Sequence, residues 1–371
     1  MTRAGSAARS APAMVLYTLV AAVVLLLVLE GAASVLYAVR GVVASQPLAE
    51  RLHTEYDADL GWVNLPNVDL PNLYAAGRGL RTNAQRFRGS TAFAERVPAG
   101  KRRIICSGDS FTLGYGVSDE YTWPAFLEKR APQIETVNMG QGGYGLDQAY
   151  LWYKRDGTKL DHDLQIFAVI TNDFQRMQML SFSGYAKPVL VLEGGKLVTQ
   201  NIPVPKGASS PTMARLQSAL AELDTTRLLR RMFRRDAPEA TSSTQEERNE
   251  ETMEIVNAML DDLAQLHRAK GSRLVVVYLP TRQDYVGNSA DPWRRHLAQY
   301  SARSGGVYLD LFDDMRRLVP EEKDKLFIAE GDVDFPGAAG HYSEGGNEFV
   351  ANLIYDALVA RPEIEPKLRA F

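Results

Sequence analysis

The segment Gly108-Asp109-Ser110-Phe111-Thr112-Leu113-Gly114-Tyr115-Gly116 directly follows an apolar, β-branched run, RIICS at 103–107. A serine on a Gly-flanked turn at the carboxyl end of a strand lies on the rim where α/β sheets present ligands. If a short helix starts there, the Ser110 N–H also faces any negative charge developing beside its hydroxyl. The same pattern equally suits a polar turn in which Ser110 is only a helix N-cap. A serine nucleophile needs a base, and the chain offers five histidines. His53 stands near the apolar N-terminal segment, and His267 and His296 fall within helix-like stretches as surface or core residues. His162, in Asp161-His162-Asp163, precedes a strand and so belongs at the opposite end of a sheet. His341, in Gly340-His341-Tyr342-Ser343, stands just before the final helical pattern.

GDSFTLGYG is similar to the first block of the SGNH/GDSL hydrolases, and that resemblance implies Ser110 as the nucleophile. In that family a second block supplies a glycine N–H and a third supplies an asparagine amide. After the next predicted strand this chain reads Asn138-Met139-Gly140-Gln141-Gly142-Gly143-Tyr144-Gly145, where Gly143 matches. The strand after that ends Ile170-Thr171-Asn172-Asp173, where Asn172 matches, although Thr171 stands near positions where the family often has glycine. The resemblance thus implies an oxyanion hole made of the Ser110 N–H, the Gly143 N–H and the Asn172 amide. Taken alone, Gly143 suits a strand-end turn and Asn172 a helix cap. His341 matches the base of the family's last block, but the aspartate expected three residues earlier is Ala338. Asp334 is expected to fold back into that role, with Asp332 as the alternative. The remaining option is a Ser–His dyad oriented by a backbone carbonyl.

The elements that must position these residues emerge from periodicity. Apolar runs at 103–107, 134–138, 164–171, 273–279 and 307–310 read as strands, and helix-like stretches lie near 122–131, 146–158, 251–269 and 290–304. A near-continuous run such as LQIFAVIT suits a sheet covered on both faces. The alternation predicts a three-layer α/β/α sandwich with a roughly five-stranded parallel sheet and right-handed crossovers. The final helix is expected after Ser343 as N-cap, with Phe349, Val350, Leu353, Ile354, Ala357 and Leu358 at helical spacing.

The domain organisation reads as an N-terminal tail (1–13), a transmembrane anchor (14–40), an irregular lead-in (41–100) and the hydrolase-like domain (101–371). The anchor is expected because the apolar run is long enough to span a bilayer and resumes after Glu30. A cleaved signal peptide is the competing reading, with Gly31-Ala32-Ala33 as its site. Arg3 and Arg9 before the span favour an inside N-terminus and an exported body. The lead-in is expected to pack through Trp62, Leu80 and Phe87. An insertion at about 178–250 carries a hairpin pattern around Gly194-Gly195, an arginine cluster (Arg227, Arg230, Arg231, Arg234 and Arg235) and a polar run read as a linker. The cluster reads as a solvated helix face or a contact for an anionic polymer or lipid.

A length of 371 residues with 45% hydrophobic composition supports a substantial core. The net charge of -3 gives no electrostatic pointer to nucleic acid. The single cysteine, Cys106, excludes an internal disulfide and a thiolate metal cluster. No nucleotide or metal cofactor is expected. The expected activity is hydrolysis of an ester-linked acyl group on a lipid, glycan or small ester at a membrane surface. The same residues would suit acyl transfer to a cell-surface polysaccharide, and Ala338 leaves a third option, a non-catalytic envelope protein that binds glycan or a partner.

Overall fold

The computed structural model describes residues 52–206, 244–286 and 290–369, together with part of a helical stretch between 14 and 31. The expected anchor at 14–40 and the arginine cluster at 227–235 lie largely or wholly outside the described residues. Among the described residues no helix is long and apolar enough to cross a membrane.

The lead-in, read as irregular, instead forms two hairpins. Strand β1 (Thr54–Asp57) pairs antiparallel with β2 (Gly61–Asn64), and β3 (Asp69–Ala75) with β4 (Arg78–Arg81). Three of these strands have only 4 residues, and Pro71 interrupts β3, so no period-2 pattern stands out from the turn residues around them. Trp62, Leu80 and Phe87 are all buried.

The central sheet comprises β5 (Arg102–Gly108), β6 (Ile134–Gly140) and β7 (Leu164–Val169), joined after the insertion by two further strands. The insertion contributes β8 (Ser181–Phe182), β9 (Tyr185–Ala186), β10 (Val189–Glu193) and β11 (Lys196–Gln200). The last two central strands are β12 (Arg273–Tyr278) and β13 (Val307–Asp310), and the order β13-β12-β7-β5-β6 is parallel throughout. Helices α1 (Ser110–Leu113), α2 (Trp123–Arg130), α3 (Leu146–Arg155), α4 (Thr171–Met177) and α5 (Gln245–Lys270) alternate with these strands. After them come α6 (Asp291–Ser304), α7 (Phe312–Arg316), α8 (Pro320–Lys325) and α9 (Glu344–Val359).

Alternate side chains of each central strand enter opposite cores. Ile105, Phe167 and Val169 pack with Tyr153 of α3, Met259 of α5 and Trp293 of α6. Ile104, Cys106, Ile166 and Ala168 pack on the other face with Leu127 of α2 and Val350 and Ile354 of α9. The sheet is therefore the middle of three layers.

Two boundaries differ from the sequence reading. Strand β7 stops at Val169, so Thr171 and Asn172 belong to the first turn of α4. Helix α5 begins at Gln245, inside the polar run read as a linker, because Thr244 and Glu247 form a reciprocal capping box. The expected hairpin is the β10–β11 pair, turning at Gly194 and Gly195, both with positive φ as a type I′ turn requires.

Two histidines lie in a polar network at the amino end of the sheet. His162 Nδ1 is 2.7 Å from the Leu160 carbonyl, so it donates there and Nε2 accepts from the Tyr153 hydroxyl at 2.9 Å. His267 Nε2 donates to Gln165 Oε1 at 2.8 Å, and its Nδ1 accepts from the Ser272 hydroxyl at 2.7 Å. Both rings are thus satisfied as neutral imidazoles. Burial pushes His162 down to about 4 and His267 to about 3, the latter also feeling His162. On acidification the unfolded chain therefore takes up these protons first, and stability is lost as pH falls from about 6.5 toward 4. His162 alone accounts for about 3 kcal/mol over that window. Chemical denaturation at pH 7.5 and at pH 4.5 should show this loss, and His267→Gln should reduce it.

Candidate active site

Strand β5 ends at Gly108, where a Cβ would stand 2.4 Å from Thr112 Oγ1 and 2.7 Å from the Ala168 carbonyl. Only glycine lets α1 fold back this tightly over the strand end. Asp109 caps α1, its Oδ1 accepting the Phe111 N–H at 2.9 Å. Gly114, at φ 86, stops the helix after one turn by donating to the Ser110 carbonyl. Arg88 of the lead-in then secures the loop after α1. Its Nη1 donates to the Leu113 and Gly114 carbonyls and its Nη2 to the Val117 carbonyl, while Nε pairs with Asp119. Ser110 is left 4% exposed at the carboxyl rim of the sheet.

The loop after β6 is built as closely. A Cβ on Gly140 would lie 2.0 Å from the Leu113 nitrogen, so this strand end abuts α1. The Gly142 carbonyl accepts the Trp62 Nε1–H at 2.9 Å. Gly143 has φ +75, and a Cβ there would stand 2.6 Å from the Phe182 ring. Positive φ and this close approach give two independent reasons for glycine. Phe182 belongs to the insertion, which is held down by Lys187, whose Nζ forms a buried ion pair with Asp147 of α3. The Gly143 N–H and the Asn172 side chain find no hydrogen-bond partner among the described residues.

Three loop ends converge on one guanidinium. Arg176 Nη1 donates to Asp173 Oδ1 at 2.7 Å, to the Tyr144 carbonyl at 2.9 Å and to Asp109 Oδ2 at 3.1 Å. Asp109, Tyr144 and Asp173 are the chain neighbours of Ser110, Gly143 and Asn172 respectively, so the three matched blocks meet at this residue.

His341 arrives from the other end of the chain. In the loop before α9 the Ile328 N–H donates to the His341 carbonyl, and Ser343 caps that helix as expected. His341 Nε2 lies 2.7 Å from Ser110 Oγ. The imidazole is sandwiched between Phe111 and Tyr115, with ring centroids at 4.5 and 5.4 Å. Burial pushes it down to about 4, opposed by the Asp109 charge and the Ala338 carbonyl and reinforced by Arg176. The neutral, proton-accepting form thus prevails at neutral pH.

The structure does not bring Asp334 or Asp332, the expected third member of the triad, onto the imidazole. Asp334 is exposed, its N–H donating to the Tyr74 carbonyl, and Asp332 Oδ2 accepts the Ala329 N–H. His341 Nδ1 is buried and makes no hydrogen bond with either. The loop turns Phe335 inward onto Tyr74 and Tyr115 while Asp334 stays outside. Ala338, fully buried in that cluster, occupies the position where a carboxylate would be desolvated. Arg88 and Arg176 are not legible as site residues in the sequence. The only sequence signal for Arg176 is its place one helical turn after Asp173. Among the described residues, no group of three His, Cys, Asp or Glu side chains could hold a metal ion.

Gly143→Ala should lower stability by about 1–3 kcal/mol, since it combines a strained φ with a clash on Phe182. A double-mutant cycle with Phe182→Ala, read by thermal unfolding, should recover the part due to the ring.

No protein-family profile matches the chain, and no curated protein matches it. Solved structures do. The chain is similar to a member of the lipolytic protein G-D-S-L family from Veillonella parvula DSM 2008, at 14% identity and TM-score 0.38 over 70% of this chain and 100% of that one. It is similar to a GDSL-like lipase from Bacteroides thetaiotaomicron VPI-5482, at 13% identity and TM-score 0.38 over 71% and 91%. It is also similar to the lipase/acylhydrolase from Enterococcus faecalis, at 13% identity and TM-score 0.38 over 73% and 98%.

Proposed function

We propose that this chain is a serine esterase of the SGNH/GDSL type, anchored by its N-terminal apolar segment and acting on an ester-linked acyl group at the outer face of a membrane. The observation that carries the catalytic reading is the 2.7 Å contact between Ser110 Oγ and His341 Nε2. The two residues are 231 positions apart, and the nucleophile sits on a glycine-built turn at the sheet rim. The apolar run from Met14 supports the anchor.

The mechanism uses a dyad. His341 carries its resting proton on Nδ1, which is buried and has no hydrogen-bond partner among the described residues, and this leaves Nε2 to accept the Ser110 proton. Ser110 Oγ attacks the ester carbonyl, and the resulting oxyanion is held by the Ser110 and Gly143 N–H groups and the Asn172 amide. The imidazolium then gives its proton to the departing alcohol as the carbon–oxygen bond breaks, leaving an acyl-serine. Water or another hydroxyl, deprotonated by His341, attacks this ester and releases Ser110. In place of a carboxylate on Nδ1, the nearby Asp109 charge stabilises the imidazolium.

With p-nitrophenyl acetate as probe, Ser110→Ala should lower kcat by about 10⁴-fold or more. Asn172→Ala should lower it by about 10²–10³-fold with little change in thermal stability. The acid limb of kcat/KM should fall near pH 4, tracking the depressed His341, instead of near 6.5. Retention of the wild-type rate by Ser110→Ala would sink the proposal.

A further inference from the structure

The Ser110 hydroxyl has one proton and two acceptors within reach. His341 Nε2 is at 2.7 Å and Asp109 Oδ2 at 3.4 Å. A bare carboxylate is the stronger acceptor of the two, and a serine donating to it would not be directed at its base. What competes for Asp109 Oδ2 is Arg176, whose Nη1 donates to it at 3.1 Å. That nitrogen carries two hydrogens and serves three acceptors, so the Asp109, Asp173 and Tyr144 oxygens are bound to a shared centre.

We infer that Arg176 is the positioning residue of this site: by drawing the Asp109 carboxylate, the Tyr144 carbonyl and the Asp173 carboxylate onto one guanidinium nitrogen, it fixes the three strand-end loops in register and keeps the Ser110 hydroxyl directed at His341. The inference rests on the esterase reading. The charge arrangement supports it. Burial, and after it the Asp109 charge, pushes the Asp173 carboxyl well above the usual carboxylate range, toward its neutral form. The Arg176 charge, facing both carboxyl groups, opposes that rise and limits the desolvation cost. Phe182 of the insertion covers the guanidinium, 5.1 Å from its ring centroid, so the insertion shields this centre from water.

The groups facing His341 are Asp109 from the loop after β5, Arg176 from α4, Tyr115 from the loop after α1, and Ser110 itself, with Tyr342 beside it in the chain. Of the charged pair, Asp109 favours the imidazolium and Arg176 opposes it. Removing the Arg176 charge therefore raises the proton affinity of His341, whereas a merely structural role leaves it unchanged.

The test uses the full-length chain with ¹³C-labelled histidine, His341 being assigned by loss of its signal in His341→Gln. Arg176→Gln should raise the His341 titration midpoint by about one pH unit, a tenfold gain in proton affinity. Arg176→Lys, which keeps the charge, should leave the midpoint within about 0.3 unit. Its ammonium stands one bond nearer the backbone than Nη1 and does not reach all three acceptors from α4, so fluorophosphonate labelling of Ser110 should slow at least about tenfold. An unchanged midpoint in Arg176→Gln, or labelling of Arg176→Lys at the wild-type rate, overturns the inference. If Arg176→Gln does not fold, the Lys labelling rate still decides. Wild-type protein whose Ser110 never labels overturns the esterase reading, and the titration, which needs no turnover, then decides the role of Arg176 by itself.

Discussion

The hydrogen bond between Ser110 and His341 joins two frames built from opposite ends of the sheet domain's sequence, and the geometry around it is organised to make them meet. One frame is β5 and α1, where glycines at 108 and 140 let backbones approach more closely than any Cβ allows. The other is the loop before α9, tied down by the Phe327–Tyr342 bridge and by the Tyr342 hydroxyl on the Pro280 carbonyl. Because α9 packs on α2 in one core while α3 and α5 fill the other, the sheet fixes both frames at its carboxyl rim. A 2.7 Å contact across 231 residues is the outcome of that rigidity.

The segments outside the sheet are pinned by buried cations. Arg88 ties the lead-in to the turn after α1. Arg103, on β5, pairs with Glu135 and gathers the Ala94, Glu95 and Asp161 carbonyls at the opposite end of the sheet. Lys187 ties the insertion to α3. Each is almost fully buried and meets carboxylates or carbonyls, so the desolvation cost is offset by charge-assisted hydrogen bonds. Removing one partner of such a pair would cost about 3–5 kcal/mol, because the other would be left buried and unpaired. Arg176 obeys the same logic but stands among the loops around Ser110, Gly143 and Asn172.

What is legible in the sequence is what local pattern determines. Apolar runs identify the five strands, most plainly β5, β6 and β7, whose two faces are both buried, and the Gly-Asp-Ser turn and the histidine before a capped helix mark the two ends of the Ser110–His341 contact. What stays hidden depends on long-range placement. Nothing near Arg88 distinguishes it from a surface arginine, because three of its four carbonyl acceptors lie more than 20 residues away. Asp334 does not take the triad position because Phe335 competes for the interior and wins, turning the carboxylate to solvent. The start of α5 escapes detection because its first turns are entirely polar, so hydrophobic periodicity is silent there and only the Thr244–Glu247 capping pair marks the boundary.

Ser110 as an activated nucleophile whose base is His341, without a carboxylate on the imidazole, is the central claim. Its most direct test treats the full-length chain with a fluorophosphonate at pH 7 and maps the adduct by mass spectrometry. The predicted result is a single adduct on Ser110 that disappears in His341→Ala and persists in Asp334→Ala and Asp332→Ala. Equal labelling of wild type and His341→Ala, or loss of labelling in Asp334→Ala, would contradict it.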